Sequence, residues 1–158
     1  MKTYVLTVSK VFPKTHKRAG DQTYFPEMIL SALGKHELLT DKCFSKPPEK
    51  LHTIRANYEL WKKRENEINE GMAILSIRYW SEKPYRSKQI EICQLDKIGV
   101  QRLDRPANFI FAEINSKMYD WEYVAKNDGL SFEDFCEWFK NYDLSKPMPI
   151  IQFTDFRY

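Results

Sequence analysis

Cysteine is sparse and scattered. Cys43, Cys93 and Cys136 are the three in 158 residues, and no two stand as C-x-x-C. That spacing excludes the paired-thiol zinc patterns and offers no disulfide framework, so reduced thiols are expected. Glycine is scarce too, with five residues. No Ser/Gly-rich tract divides the chain, and one domain over residues 1–158 is expected. No apolar run approaches the ~20 residues of a membrane span. Lys2 and Lys10 interrupt the N-terminal stretch, so a secretory leader is not expected either, and a soluble cytoplasmic protein is. Neither sign of charge dominates: 25 Lys and Arg stand against 22 Asp and Glu, a net of +3. Binding nucleic acid by charge alone needs clustered cations that neutralise many phosphates, and this balance does not supply them. G-x-G-x-x-G, the Walker A loop, H-E-x-x-H and G-x-S-x-G are all missing. His16, His36 and His52 are far apart with no second ligand at metal spacing. No metal and no cofactor is expected.

What is present reads as a globular chain, 42% hydrophobic and 15% aromatic. Residues 3–9 alternate with β-rich types and predict a strand. Lys10 to Arg18 carries four cations and no acid, which reads as a solvated loop. Pro26 opens a helix that Gly34 stops. Residues 35–49, with Pro47-Pro48, read as an irregular insertion with one helical turn at His36–Leu39, placed to act as a lid. A strand follows at 50–55. Asn57 caps a helix from Tyr58 to Glu70 whose apolar stripe is Leu60, Trp61 and Ile68. Strands are expected at Met72–Trp80, Gln89–Leu95 and Ile98–Leu103. Phe109–Ile114 fits a strand or a helix, and 115–127 is ambiguous. Ser131 opens a capping-box-like start, and Phe132, Phe135, Cys136 and Phe139 then share a helix face expected to be buried. Ile150–Phe156 is the last strand. Strands that mostly follow one another directly favour an antiparallel sheet or small barrel, so the class is α+β.

The chemistry concentrates in Lys50-Leu51-His52-Thr53-Ile54-Arg55. A hydroxyl becomes a nucleophile when a nearby base takes its proton, and a lysine can do so when desolvation or a neighbouring cation lowers its pKa. Arg55 can supply that cation, or hold a carbonyl oxygen, oxyanion or phosphate. The plain alternative is a strand with a surface lysine, a threonine favoured by the sheet and a structural arginine. Lys50 and Thr53 are an odd number of residues apart, so in a regular strand they point to opposite faces; Lys50 must enter from the loop to join Thr53. Asp128 can serve as an acid or hold Lys50, or it is turn chemistry in Asn127-Asp128-Gly129. Trp80 and Tyr85, with Arg86, make a basic aromatic loop suited to stacking on bases; core packing of the rings is the alternative.

The six residues Lys50 to Arg55 resemble the K-x-x-T-I-R signature of the ASCH domain family, within the PUA-like superfamily. The order of elements is similar as well: a strand and a helix before the signature, a Gly-led strand from Gly71 to Trp80 after it, and a helix and strand at the end. The insertion at 35–49 and the helix at 58–70 depart from compact members. The resemblance implies a small, mostly antiparallel β-barrel with peripheral helices, and a cleft beside the signature that binds RNA or a modified nucleoside. Some bacterial members are amidohydrolases that deacetylate N4-acetylcytidine, with the signature Lys as base, its Thr as nucleophile and a Glu before the late helix. By position Lys50 is the base and Thr53 the nucleophile. Asp128 falls where the Glu would be, one methylene shorter. Arg55, His52, Trp80, Tyr85 and Arg86 are then the ligand-binding residues.

Overall fold

The computed structural model describes residues 1–35, 47–104 and 110–158. Most of the 35–49 insertion, with its helical turn at His36–Leu39 and its lid role, lies outside the described residues. The alternating opening forms β1 (Lys2–Thr7). Helix α1 (Phe25–Ala32) has Pro26 in its first turn, where a missing amide donor is harmless. The signature contributes β2 (His52–Ile54), so Lys50 precedes the strand proper. Helix α2 (Tyr58–Asn69) starts where Asn57 Oδ1 accepts from the Leu60 amide at 3.1 Å. Trp61 and Ile68, seven residues apart, face inward, whereas Leu60 is 40% exposed. Of two adjacent helix positions only one points straight into the core, and the larger ring takes it.

Strands β3 (Ala73–Trp80), β4 (Gln89–Leu95), β5 (Gly99–Asp104) and β6 (Phe111–Ile114) follow. The ambiguous stretch resolves into β7 (Lys117–Asp120) and helix α3 (Trp121–Asn127). Asn115 and Ser116 join β6 to β7 with φ of 47° and 68°, the positive pair that a two-residue hairpin turn requires. Ser in place of the usual Gly hid that turn. Helix α4 (Phe132–Phe139) begins at Ser131, whose Oγ accepts from the Asp134 amide at 3.1 Å. Strand β8 (Met148–Gln152) ends earlier than the sequence pattern implies.

The strands form two sheets. One has the order β1-β3-β4, with β1 parallel to β3 and β4 antiparallel. The other has the order β2-β8-β5-β6-β7 and is antiparallel throughout. The class is α+β, as expected, but no strand pairing joins the two sheets among the described residues, and no closed barrel forms. Three-residue β2 is too short to carry a ladder across to β1. Instead the Arg55 guanidinium donates to the Thr7 carbonyl at 2.7 Å. Ile54, Leu75, Ile77, Ile150 and Ile151 fill the core. No helix among the described residues is long and apolar enough to cross a membrane.

The basic segment at Lys10–Arg18 is not simply solvated. His16 is buried, Arg18 Nη1 meets Asp134 Oδ2 at 2.7 Å, and Lys17 pairs with Glu133. Asp134, read as part of a capping box, spends its carboxylate on Arg18 instead. The α4 face also departs from expectation. Phe135 and Phe139 are buried, but Phe132 is 44% exposed and Cys136 is exposed too.

Candidate functional site

Helix α3 is the piece that assembles the site. It ends in a Schellman turn: the Gly129 amide donates to Lys126 O at 3.0 Å and the Leu130 amide to Ala125 O at 3.0 Å. The turn needs a left-handed residue, and Gly129 has φ +79°. A Cβ at Gly129 would sit 3.1 Å from Met28 Sδ and 3.2 Å from Lys50 Cβ, so the loop crosses tightly over the lysine. The last carbonyls of α3 are left without helical donors. Leu51 N fills one, on Asn127 O at 2.8 Å. The Lys50 ammonium fills the next, donating to Asp128 O at 2.5 Å. A cation at a helix C-terminus is also where the helix dipole favours it.

Lys50 is 1% exposed, the largest of the fully buried side chains. Its Nζ donates to Asp128 Oδ1 at 3.0 Å as well as to the carbonyl. The ammonium lies 4.1 Å from the centre of the Phe25 ring, a cation–π contact. Two oxygens and an aromatic face therefore answer its three donors. Asp128, one methylene shorter than a glutamate, still reaches the lysine because the Schellman turn brings its backbone to the same place. Burial alone would raise the Asp128 pKa; Lys50 and His52 beside it outweigh that and leave it below its ordinary 3.8. For Lys50 the balance tips the other way. Burial lowers its pKa, Asp128 opposes this, and Arg55 adds to the lowering.

His52 is wholly buried behind this pair. Its Nδ1 is 3.4 Å from Asp128 Oδ1, within charge reach but without hydrogen-bond alignment. Its Nε2 meets the Tyr158 hydroxyl at 2.6 Å, and that hydroxyl accepts from Asn127 Nδ2 at 3.1 Å. The Asp128 carboxylate can only accept, which assigns the ring proton to Nδ1 and makes the phenol the donor to Nε2. Burial, with Lys50 adding to it, lowers the His52 pKa and keeps the ring neutral.

Lys50, Thr53, Arg55 and Asp128 line one small hollow with Val8, Ser9, Phe25 and Leu130. Its volume is about 20 Å³, space for about one water. Three residues of the signature, Lys50, Thr53 and Arg55, thus border the same hollow, with Lys50 entering from ahead of the strand. Arg55 is half-buried and donates to the carbonyls of Ile54 and Thr7. His52 joins through Asp128 rather than facing the hollow.

Trp80, Tyr85 and Arg86 do not line this hollow. Trp80 and Tyr85 contact each other with ring centres 5.3 Å apart, and Tyr85 is 88% exposed. Trp80 is half-buried at the end of β3, and Tyr85 and Arg86 stand on the exposed connection to β4. Sequence reading missed Tyr158 and Phe25, because each comes from a distant element with no local motif, and it took Asn127 only as a turn residue. It also missed a larger groove of about 260 Å³ that shares Ile54 and Phe139 with the hollow. Among the described residues no group of three His, Cys, Asp or Glu side chains stands ready to hold a metal ion. Compared with family models, curated proteins and solved structures, the chain matches none.

Proposed function

We propose that the chain is an ASCH-type domain of the PUA-like superfamily that accepts a modified nucleoside beside β2 and cleaves an acyl group from its exocyclic nitrogen. One observation carries this reading: a lysine buried to 1% exposure shares a hollow with a threonine, an arginine and the aspartate that holds it. Burying an ammonium costs several kcal/mol, and buried groups with such perturbed charge gather at functional sites. In the reaction neutral Lys50 takes the Thr53 proton as Oγ attacks the carbonyl carbon. Arg55 stabilises the oxyanion. The Lys50 ammonium returns the proton to the leaving nitrogen as the C–N bond breaks, leaving an acyl-Thr53 ester. Lys50 then deprotonates a water that cleaves the ester, releasing the carboxylic acid and restoring the hydroxyl. Asp128 holds and orients Lys50, and His52, held by Tyr158, packs behind Asp128.

The experiment is to follow release of cytidine from N4-acetylcytidine by absorbance. Release should occur with the native protein, should fall to the uncatalysed rate in Thr53→Ala, and should rise with pH to a plateau reached below the ordinary lysine value of 10.5. A rate untouched by Thr53→Ala defeats the mechanism. A second reading, recognition of RNA or a modified nucleoside without turnover, draws on the exposed Tyr85 ring beside Trp80, with Arg86 next to it. Salt-sensitive RNA binding lost in Tyr85→Ala, with no cytidine released, favours it.

A further inference from the structure

One face of the five-stranded sheet changes character along its strands. Ile54, Leu103 and Ile150 fill one end of it, as a sheet packed against a helix requires. At the other end His52 on β2 and Gly99 on β5 both stand opposite Gln152 on β8. Gln101 lies two residues beyond Gly99, so all four share that face. His52, Gln101 and Gln152 are buried. Three buried polar side chains in a row are costly unless partners answer them.

Their bonds converge on Tyr158. Its amide donates to Gln101 Oε1 at 2.8 Å, and Gln101 Nε2 donates to Tyr158 O at 3.3 Å. One side-chain amide therefore reads both main-chain groups of the tyrosine. Gln152 Nε2 donates to the same Gln101 oxygen and braces it. The hydroxyl is bridged by His52 and Asn127. Tyr119 and Tyr123 collar the ring edge-on, with centres 5.0 and 5.8 Å away. Gln152 Oε1 stays buried without a partner, so the fit is incomplete.

The segment that carries Tyr158 is held as a ligand is held. The last main-chain bond tying it to the body runs from Phe153 N to Leu51 O at 3.0 Å. Among the described residues, 154–158 make no main-chain bond to any other element. Thr154, Phe156 and Arg157 bond within the segment. The sheet is bare where the segment crosses it, since a Cβ on Gly99 would collide with the Arg157 guanidinium.

We propose that residues 154–158 are a detachable strap, and that the socket of His52, Gln101, Asn127 and the two tyrosines is a recognition site for a tyrosine residue, filled by the chain's own Tyr158. A peptide carrying a tyrosine competes for the same socket. Undocking uncovers His52 Nε2. The inference is independent of the hydrolase reading, because Thr53 belongs to the opposite face of β2.

Two measurements test it. The first is native-state amide exchange, followed by NMR on the full chain. The Tyr158 amide should be at least ~10-fold less protected than those of Ile150 and Ile151 in β8, because it opens locally. Equal protection makes the segment part of the core and ends the proposal. The second is titration of Tyr158→Ala, with retained β8 protection as the check of folding. N-acetyl-tyrosinamide should bind ~10-fold tighter than N-acetyl-phenylalaninamide, which lacks the hydroxyl, and than p-cresol, which lacks the amide. No binding, or no preference, reduces the socket to a plain cavity and overturns the recognition site. Native protein should bind the same compound at least ~10-fold more weakly, since Tyr158 must leave first; equal affinity counts against the strap. If Tyr158→Ala does not fold, Tyr158→Phe replaces it. N-acetyl-tyrosinamide should then displace the weaker ring and speed exchange across 154–158, and a segment that stays put refutes the inference.

Discussion

His16 and His52 are both buried beside an aspartate and a cation, and the two clusters differ in what is left over. At His16 every polar atom is answered. Nε2 meets Asp134 O at 3.1 Å, and Nδ1 accepts from the Arg18 amide at 3.0 Å. Phe12 packs on the ring with centres 4.6 Å apart. The cation, Arg18, keeps 44% of its side chain in solvent. At His52 the cation is a lysine with no solvent, Nδ1 has charge contact without a hydrogen bond, and a hollow adjoins the ion pair. The first arrangement ties the loop before α1 to the start of α4. The second holds a strained balance of charge beside a cavity, as reactive sites do.

That contrast is open to attack. The largest effect is expected from Asp128→Ala, which strands a buried ammonium. It should lower unfolding free energy by roughly 3–5 kcal/mol, read by urea denaturation; replacing Lys50 by Met in the same chain should recover part of the loss. Acid should narrow the gap between native and Asp128→Asn proteins. The folded pKa of Asp128 lies below its ordinary 3.8, so the unfolded chain takes up the proton first. The stabilisation is complete above that value and drains away as pH falls below it. Melting curves from about pH 6 to pH 3 test the sign, and a gap that widens toward acid would contradict it.

His16→Phe comes next, at about 2 kcal/mol, because it leaves the Arg18 amide without its partner and takes one bond from the Asp134 carbonyl. It should leave turnover per folded molecule unchanged. A large loss of activity there would erase the distinction between the two clusters. Tyr158→Phe removes the donor to His52 Nε2 and should cost about 1 kcal/mol. Its added signature is a displaced pH–rate profile, since the ring beside Asp128 loses its anchor. The smallest effect is expected from Arg18→Gln. Its ion pair with Asp134 is solvent-screened, and the thermal midpoint should barely move.

Much of this was legible locally. Asn57 and Ser131 act through bonds within a few residues, so the two caps follow from residue type, and Asn127-Asp128-Gly129 was legible as a turn. The signature could be read chemically because Lys50, Thr53 and Arg55 are neighbours. Other features were opaque for equally physical reasons. The Asn115-Ser116 turn lacks the glycine that marks such hairpins. Phe132 and Cys136 have the spacing of a buried face, and periodicity cannot tell a filled core from an open groove. Tyr158 lies 106 residues beyond His52 in the chain, and no local pattern couples them.

By itself the sequence determined the α+β class, most element positions and a hexapeptide with an amine, an alcohol and a guanidinium, because caps, turns and periodicity are short-range. Only the tertiary structure decided that Asp128 closes on Lys50, that His52 stands behind it and that a groove opens beyond Ile54. Those outcomes depend on how α3 and α4 pack against β2, and packing is a property of the whole chain's buried surface rather than of any one segment.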